Sequence, residues 1–173
     1  MKKIDRTRVA LEGIPLSMTQ VEYAGKGYHL DLALSPEKLV EAVGALDREG
    51  FFLEAITGVD WPAAQTPPQA ADAGDATGEA QAAVAPAPVV ESEMEVIYDF
   101  NHYSELCRVA LRVRIPRAAP RVPSIAALYP GADWHERETH EFFGIVFEGH
   151  PNLIPLLLPE DADFHPLRKD FVV

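Results

Sequence analysis

The sequence predicts an α+β fold: a two-layer mixed sheet with helices packed on one face and an extended C-terminal arm. Three observations predict it. A strand–helix–strand pattern opens the ordered part of the chain, two alternating runs follow as a hairpin, and the final stretch is too rich in proline for regular structure.

Tyr28 to Leu34 alternates apolar and other residues, as a half-buried strand does. Ser35-Pro36-Glu37 then reads as a helix start: a capping hydroxyl, a proline in the first turn, then an acid. Leu39, Val40, Val43 and Leu46 recur at helical spacing, and Gly50 supplies the stop. Phe51 to Thr57 reads as the next strand. Residues 62–92 differ from everything around them: rich in alanine and proline, acidic at Asp72, Asp75, Glu79 and Glu91, without a base or an aromatic ring. Proline and glycine interrupt any helix there and little is available to bury, so a mobile surface loop or insertion is expected.

In the first alternating run Met94, Val96, Tyr98 and Phe100 share one face, with Glu93, Glu95 and Asp99 on the other. In the second, Val109, Leu111, Val113 and Ile115 oppose Arg108, Arg112 and Arg114. An antiparallel pairing brings Glu95 near Arg114 and sets Asp99 diagonally from Arg112. Five arginines without an acid between Arg108 and Arg121 suggest a nucleic-acid patch, but no aromatic residues interleave them and the facing strand supplies acids. Cross-strand ion pairing or docking on an acidic protein is the better account. Past Val122-Pro123-Ser124 a short helical piece is expected at Ile125 to Tyr129, closed by Pro130-Gly131. A second helix is expected from Ala132 or Asp133 to Phe143, ending at Gly144, with an extended arm wrapped over some surface beyond it.

The totals narrow the function classes. With 173 residues the chain has length for one domain with a sizeable core. Its net charge of −12 argues against a protein built to coat nucleic acid or anionic lipid. Cys107 is the sole cysteine, which excludes an internal disulfide framework, a Cys₄ zinc site or a self-contained iron–sulfur cluster; a small core residue is its simplest role. No apolar run reaches the ~18 residues of a membrane helix, and the basic N-terminus lacks the apolar core of a signal peptide. The expectation is a cytoplasmic protein that meets membrane only through partners.

Chemistry-bearing residues crowd between Trp134 and Asp170, which holds four of the six histidines. His135 and His140 flank glutamates as in zinc proteases, but they lie five apart and so roughly 140° apart around a helix, where one metal cannot join them. His150 and His165 each precede a proline. Glu136, Glu138 and Glu141 are candidate acids or bases, yet no nucleophile motif or phosphate loop accompanies them, and Arg137 is spaced to pair with Glu141. Trp134, Phe142 and Phe143 offer the large apolar anchors that interfaces favour. In Pro166-Leu167-Arg168-Lys169-Asp170, Arg168 can grip a carboxylate in a fork and Lys169 adds a point charge; the proline-rich approach lowers the entropy of ordering a docked tail. A free-standing metalloenzyme and a stand-alone acidic binding module remain as competing readings.

These residues also resemble a known family, the 30 kDa component of NADH–quinone oxidoreductase (respiratory complex I). The resemblance rests on Glu136-Arg137-Glu138, Glu141-Phe142-Phe143-Gly144-Ile145 and Phe147-Glu148-Gly149-His150-Pro151-Asn152-Leu153, followed in order by Pro159-Glu160-Asp161 and His165 to Phe171. Thr57 to Trp61, Glu95 to Tyr98, Arg121 to Ser124 and Tyr129 to Trp134 look similar too. It implies a subunit that binds no cofactor and has no catalytic residues of its own. Such a subunit packs on a large 49 kDa-type, hydrogenase-like subunit beside iron–sulfur subunits, on the cytoplasmic face of the inner membrane. Clusters, and flavin or nickel–iron, are then held by the partners. The implied interface comprises Trp134, Glu136, Arg137, Glu138, Glu141, Phe142, Phe143, Gly144, His150, Pro151, His165, Pro166, Leu167, Arg168, Lys169 and Asp170. Three features depart from the family's pattern: the 62–92 insertion, Ile154-Pro155 where basic residues are usual, and Asp163-Phe164 before His165. They leave two parents open, NADH–quinone oxidoreductase or an energy-converting membrane-bound nickel–iron hydrogenase with an equivalent small subunit.

Overall fold

A computed structural model describes residues 2–63 and 92–172. The expected loop at 62–92 therefore lies, apart from its ends, outside the described residues. The elements are α1 (Lys3–Ala10), β1 (Ser17–Gln20), α2 (Tyr23–Lys26), β2 (Leu30–Leu34), α3 (Leu39–Arg48), β3 (Phe51–Trp61), β4 (Glu93–His102), β5 (Arg108–Pro116), β6 (Arg121–Pro123), α4 (Ala132–Phe143) and β7 (Val146–Glu148).

Five strands form one sheet in the order β1-β2-β5-β4-β3. β2 runs parallel to β5 and every other pair is antiparallel, so the sheet is mixed. β6 and β7 make a separate parallel pair that brings the chain past α4 back beside the segment before it. The alternation read from sequence sets the sheet's two faces. Leu30, Leu32 and Leu34 of β2, Met94, Val96, Tyr98 and Phe100 of β4, and Val109, Leu111, Val113 and Ile115 of β5 turn their side chains into one core. On the opposite face Glu95 sits across from Arg114, within 3.5 Å, and Arg112 bonds Asp31 at 2.8 Å. Asp99 lies opposite Ala110, hence diagonal to Arg112, as the pattern required.

α3 covers the core side with Leu39, Ala42, Val43, Ala45 and Leu46. Val40 was expected among them but is 42% exposed, because it falls about 100° away from Leu39 around the helix. The start of the helix also differs: Pro36–Lys38 forms a 3₁₀ turn and the Ser35 hydroxyl caps nothing in it. Ile125 to Tyr129 is not a helix but a single turn, with both Leu128 N–H and Tyr129 N–H donating to Ile125 O; Val122 and Pro123 belong to β6. The N-terminal α1, β1 and α2 carry no strong apolar period and gave no signal. α1 is tied down by Lys3, whose Nζ pairs with Glu49 past the end of α3 at 3.0 Å. Cys107 is buried in the core, where burial raises its thiol pKa.

Candidate docking face of the last helix and the arm

α4 turns Ala132, Glu136 and Thr139 inward. Phe143 follows on the same side and lies against Gly58 of β3, where an added Cβ would stand 2.6 Å from its ring. No side chain fits between helix and strand there. The helix ends on Gly144, held at a positive φ of 75° that favours glycine.

Glu136 was expected at a subunit surface, but it is 0% exposed. Its carboxylate accepts from the Ser124 hydroxyl at 2.6 Å and from Ile125 N–H at 2.7 Å, pinning the turn before the helix. Burial pushes its pKa above the usual carboxylate range, against these hydrogen bonds. His150, whose side chain is also fully covered, places Nε2 3.3 Å from the Asp133 carbonyl and 3.9 Å from Glu136. Asn152 N–H donates to His150 Nδ1 at 3.0 Å.

The predicted Arg137–Glu141 pair is absent, because the arm supplies better partners to both. Arg137 donates to the carbonyls of Ile154 and Pro155, each at 2.9 Å. Glu141, buried at 4% exposure, accepts from three successive backbone N–H groups, those of Leu156, Leu157 and Leu158, at 2.8 to 3.0 Å. A carboxylate and a guanidinium one turn apart thus hold both polarities of an irregular backbone that has no ladder of its own.

The arm in return closes the helix. An α-helix leaves its last four carbonyls without internal donors. Here Gly144 N–H takes His140 O, His165 Nδ1 meets Glu141 O at 2.8 Å, Leu167 N–H takes Phe142 O, and Arg168 Nε donates to Phe143 O at 2.6 Å. Arg168, predicted to grip a partner's carboxylate, is instead a cation at the negative end of its own helix. The last fastening is Asp60, whose side chain is 0% exposed. It accepts a fork from Arg117 at 2.7 and 3.0 Å and the Lys169 N–H at 2.8 Å, while Arg117 also reaches Asp170 at 2.7 Å. Burial alone would raise the Asp60 pKa, but these hydrogen bonds and the charges of Arg117 and Arg168 outweigh it and hold it low. Neither Asp60 nor Arg117 was among the predicted site residues; an acid in β3 and an arginine after β5 carry no spacing that links them to a distant arm.

Large apolar side chains stand outward on this face. Trp134 is 66% exposed, Leu157 65%, Leu167 51% and Ile154 48%, with Glu138, Pro151, Lys169 and Asp170 exposed around them. Phe142 lines a groove of about 390 Å³ between α4 and residues Ala55 to Gly58 of β3. Phe142, Gly144, His165 and Pro166 are half-buried where arm and helix meet. Among the described residues no three histidine, cysteine, aspartate or glutamate side chains stand close enough to share a metal ion, and no helix is long and apolar enough to cross a membrane.

Similarity to known proteins bears on this face. The family model of the respiratory-chain NADH dehydrogenase 30 kDa subunit matches residues 32–173. A curated relative from a Roseiflexus strain, the C component of its NADH-quinone oxidoreductase, is 48% identical over 80 residues, 46% of this chain and 46% of its own length. The corresponding C component from Mycolicibacterium smegmatis is 46% identical over 79 residues, 46% of this chain and 33% of that protein. The match thus spans between a third and a half of these relatives. Among solved structures, a trypsin-resistant fragment of Nqo5 superposes with TM-score 0.60 at 28% identity, over 87% of this chain and 99% of the fragment. A chain of an archaeal membrane-bound sulfane sulfur reductase complex has the same fold, with TM-score 0.70 at 22% identity over 98% of this chain and 85% of that one. The α4–arm face lies inside the residues matched by the family model, and the chain belongs to the respiratory-chain NADH dehydrogenase 30 kDa subunit family.

Proposed function

We propose that the chain is a non-catalytic docking subunit in the hydrophilic arm of a membrane-associated NADH–quinone oxidoreductase. It packs on the large, hydrogenase-like 49 kDa-type subunit and stabilises it on the cytoplasmic side of the inner membrane. It binds no cofactor of its own; flavin and iron–sulfur clusters belong to neighbouring subunits, and membrane contact comes through partners.

One observation carries this reading. Trp134, Ile154 and Leu157 stand exposed where Arg137 and Glu141 already fasten the arm to α4, so these apolar side chains are presented on a pre-organised backbone. Such a surface loses little entropy on association, and large apolar anchors at its centre supply most of the binding energy. The charged residues that were candidates for catalysis support the same reading, because Glu136, Glu141 and Arg168 point at the chain's own backbone.

The test is affinity purification of the tagged chain from membranes, with identification of the large subunit that accompanies it. Trp134→Glu with Leu157→Glu should leave the chain folded and abolish that co-purification. Undiminished co-purification, or stoichiometric nickel, iron or zinc in the isolated chain, overturns the proposal. Because the fold also occurs in another respiratory membrane complex, the same experiment decides the second reading, an equivalent small subunit of an energy-converting nickel–iron hydrogenase. That reading stands if the large subunit that co-purifies holds nickel.

A further inference from the structure

β3 is the long edge of the sheet. Among the described residues it pairs with β4 alone, from Phe51 to Trp61. An edge strand turns alternate N–H and C=O groups away from its single neighbour, and proteins blunt such edges with lysine, proline or a covering segment. β3 contains neither lysine nor proline; its one irregularity is a register shift between Leu53 and Ala55, just before the stretch that matters here. Its two ends are covered. Phe51 O accepts from the Tyr129 hydroxyl at 2.9 Å, and at the other end the Asp60 carboxylate ties Arg117 and the Lys169 N–H of the arm beside the strand. Between them, among the described residues, no other backbone or side-chain group hydrogen-bonds the backbone of Ala55 to Gly58. That stretch lines the groove against α4 together with His135, Glu138, Phe142 and Leu167, although Ile56 and Gly58 are themselves buried.

We propose that this groove receives an extended segment of a partner protein, added as a sixth strand beside the middle of β3. The segment places apolar side chains on Phe142 and Leu167 and a basic one at Glu138. Main-chain pairing to a free edge combined with side-chain pockets under a helix is an established mode of peptide capture. The stretch is about 13 Å long at the rise of a strand, enough for four residues of added ladder. Charge selects the occupant. Neither lysine nor arginine lines the groove, Glu138 is its exposed acid beside a single histidine, His135, and the whole chain carries −12. A second copy of this chain would bring the same Glu138 and the same net charge of −12 against it.

This inference rests on the docking reading, and hydrogen exchange separates the two. In the isolated chain the groove-facing amides of Ala55 to Gly58 should exchange quickly. In the membrane complex purified through this chain they should slow at least tenfold. Glu138→Lys, at an exposed position, should leave the fold unchanged and weaken association several-fold at low salt, with the difference shrinking as salt rises. If Trp134→Glu dissolves the complex while these amides exchange at the same rate free and bound, docking stands and strand addition falls. Protection that grows with concentration of the isolated chain means self-pairing and also overturns it. Failure of any large subunit to co-purify sinks both readings.

Discussion

Asp60 is the residue on which the arm's last turn depends, so replacing it tests the account of the arm most directly. In Asp60→Ala the Arg117 guanidinium keeps only Asp170, and the Lys169 N–H loses its acceptor. Removing one member of a buried ion pair typically costs 3–5 kcal/mol. Arg117 is itself 20% exposed and retains a second carboxylate, so the lower end applies, about 3 kcal/mol. For a chain of this size that lowers Tm by roughly 6–12 °C. Asp60→Asn should cost nearly as much, since its amide turns a donor toward a guanidinium that also only donates. The pH dependence adds a second reading. A carboxylate held low in the folded state adds stability above its unfolded value near 3.9, and that contribution disappears as pH falls through the folded value. The gap between wild type and Asp60→Asn should therefore be full at pH 6 and close progressively below pH 4. Thermal unfolding by circular dichroism measures the gap, and trypsin cutting after Arg168 or Lys169 reports whether the arm has lifted. An Asp60→Asn chain with wild-type Tm and unchanged cutting would refute the argument.

Other substitutions probe separate links. Glu141→Gln replaces the anion that three arm N–H groups share; proteolysis between residues 152 and 163 should speed up about tenfold, the effect of roughly 1.4 kcal/mol in arm closure. Gly58→Val drives a side chain into the Phe143 ring and should cost about 1–3 kcal/mol in urea unfolding, whereas Gly131→Ala, which meets nothing, should be nearly silent. Burial holds the Glu136 pKa up, so its contribution is greatest below the unfolded value near 4.3 and is lost as pH rises through the folded value. Stability measured from pH 4 to 7 should decline more in wild type than in Glu136→Gln. Leu46→Ala should lose about 2–5 kcal/mol, as for any fully buried leucine, without changing the arm's proteolysis pattern.

The sheet was legible because its signal is local. Met94, Val96, Tyr98 and Phe100 alternate within one strand, and their charged neighbours predicted the register opposite Arg112 and Arg114. The end of α4 at Gly144 was legible for the same reason. α1 and β1 were not, being short and polar and held by contacts such as Lys3 with Glu49, which no periodicity foretells. On the candidate face, the sequence reading reversed the direction of several side chains. Arg137 and Glu141 have the spacing of an intrahelical pair, and only the presence of Ile154 to Leu158 above them redirects both. Trp134, offered by the sequence as an apolar anchor, is exposed, while Leu157 escaped notice because a leucine in a proline-rich run has no period against which to stand out. Histidine density suggested chemistry, yet His140, His150 and His165 each meet a backbone carbonyl, a structural task that composition does not distinguish from a catalytic one.

The pairing of β3 with β4 has a further consequence. Trp61 faces Glu93 across the ladder, so the stretch from 62 to 92 leaves and re-enters the fold at one doorway, a single strand spacing wide. Closing a loop between fixed neighbours grows only logarithmically with its length, about 0.6 kcal/mol for each doubling. Insertions or deletions there are therefore nearly neutral for the folded body, and a lineage can lengthen, recharge or trim that stretch while the sheet and the arm stay as they are. The doorway makes this chain a natural place to splice in a label or a second module, with the α4–arm face left undisturbed.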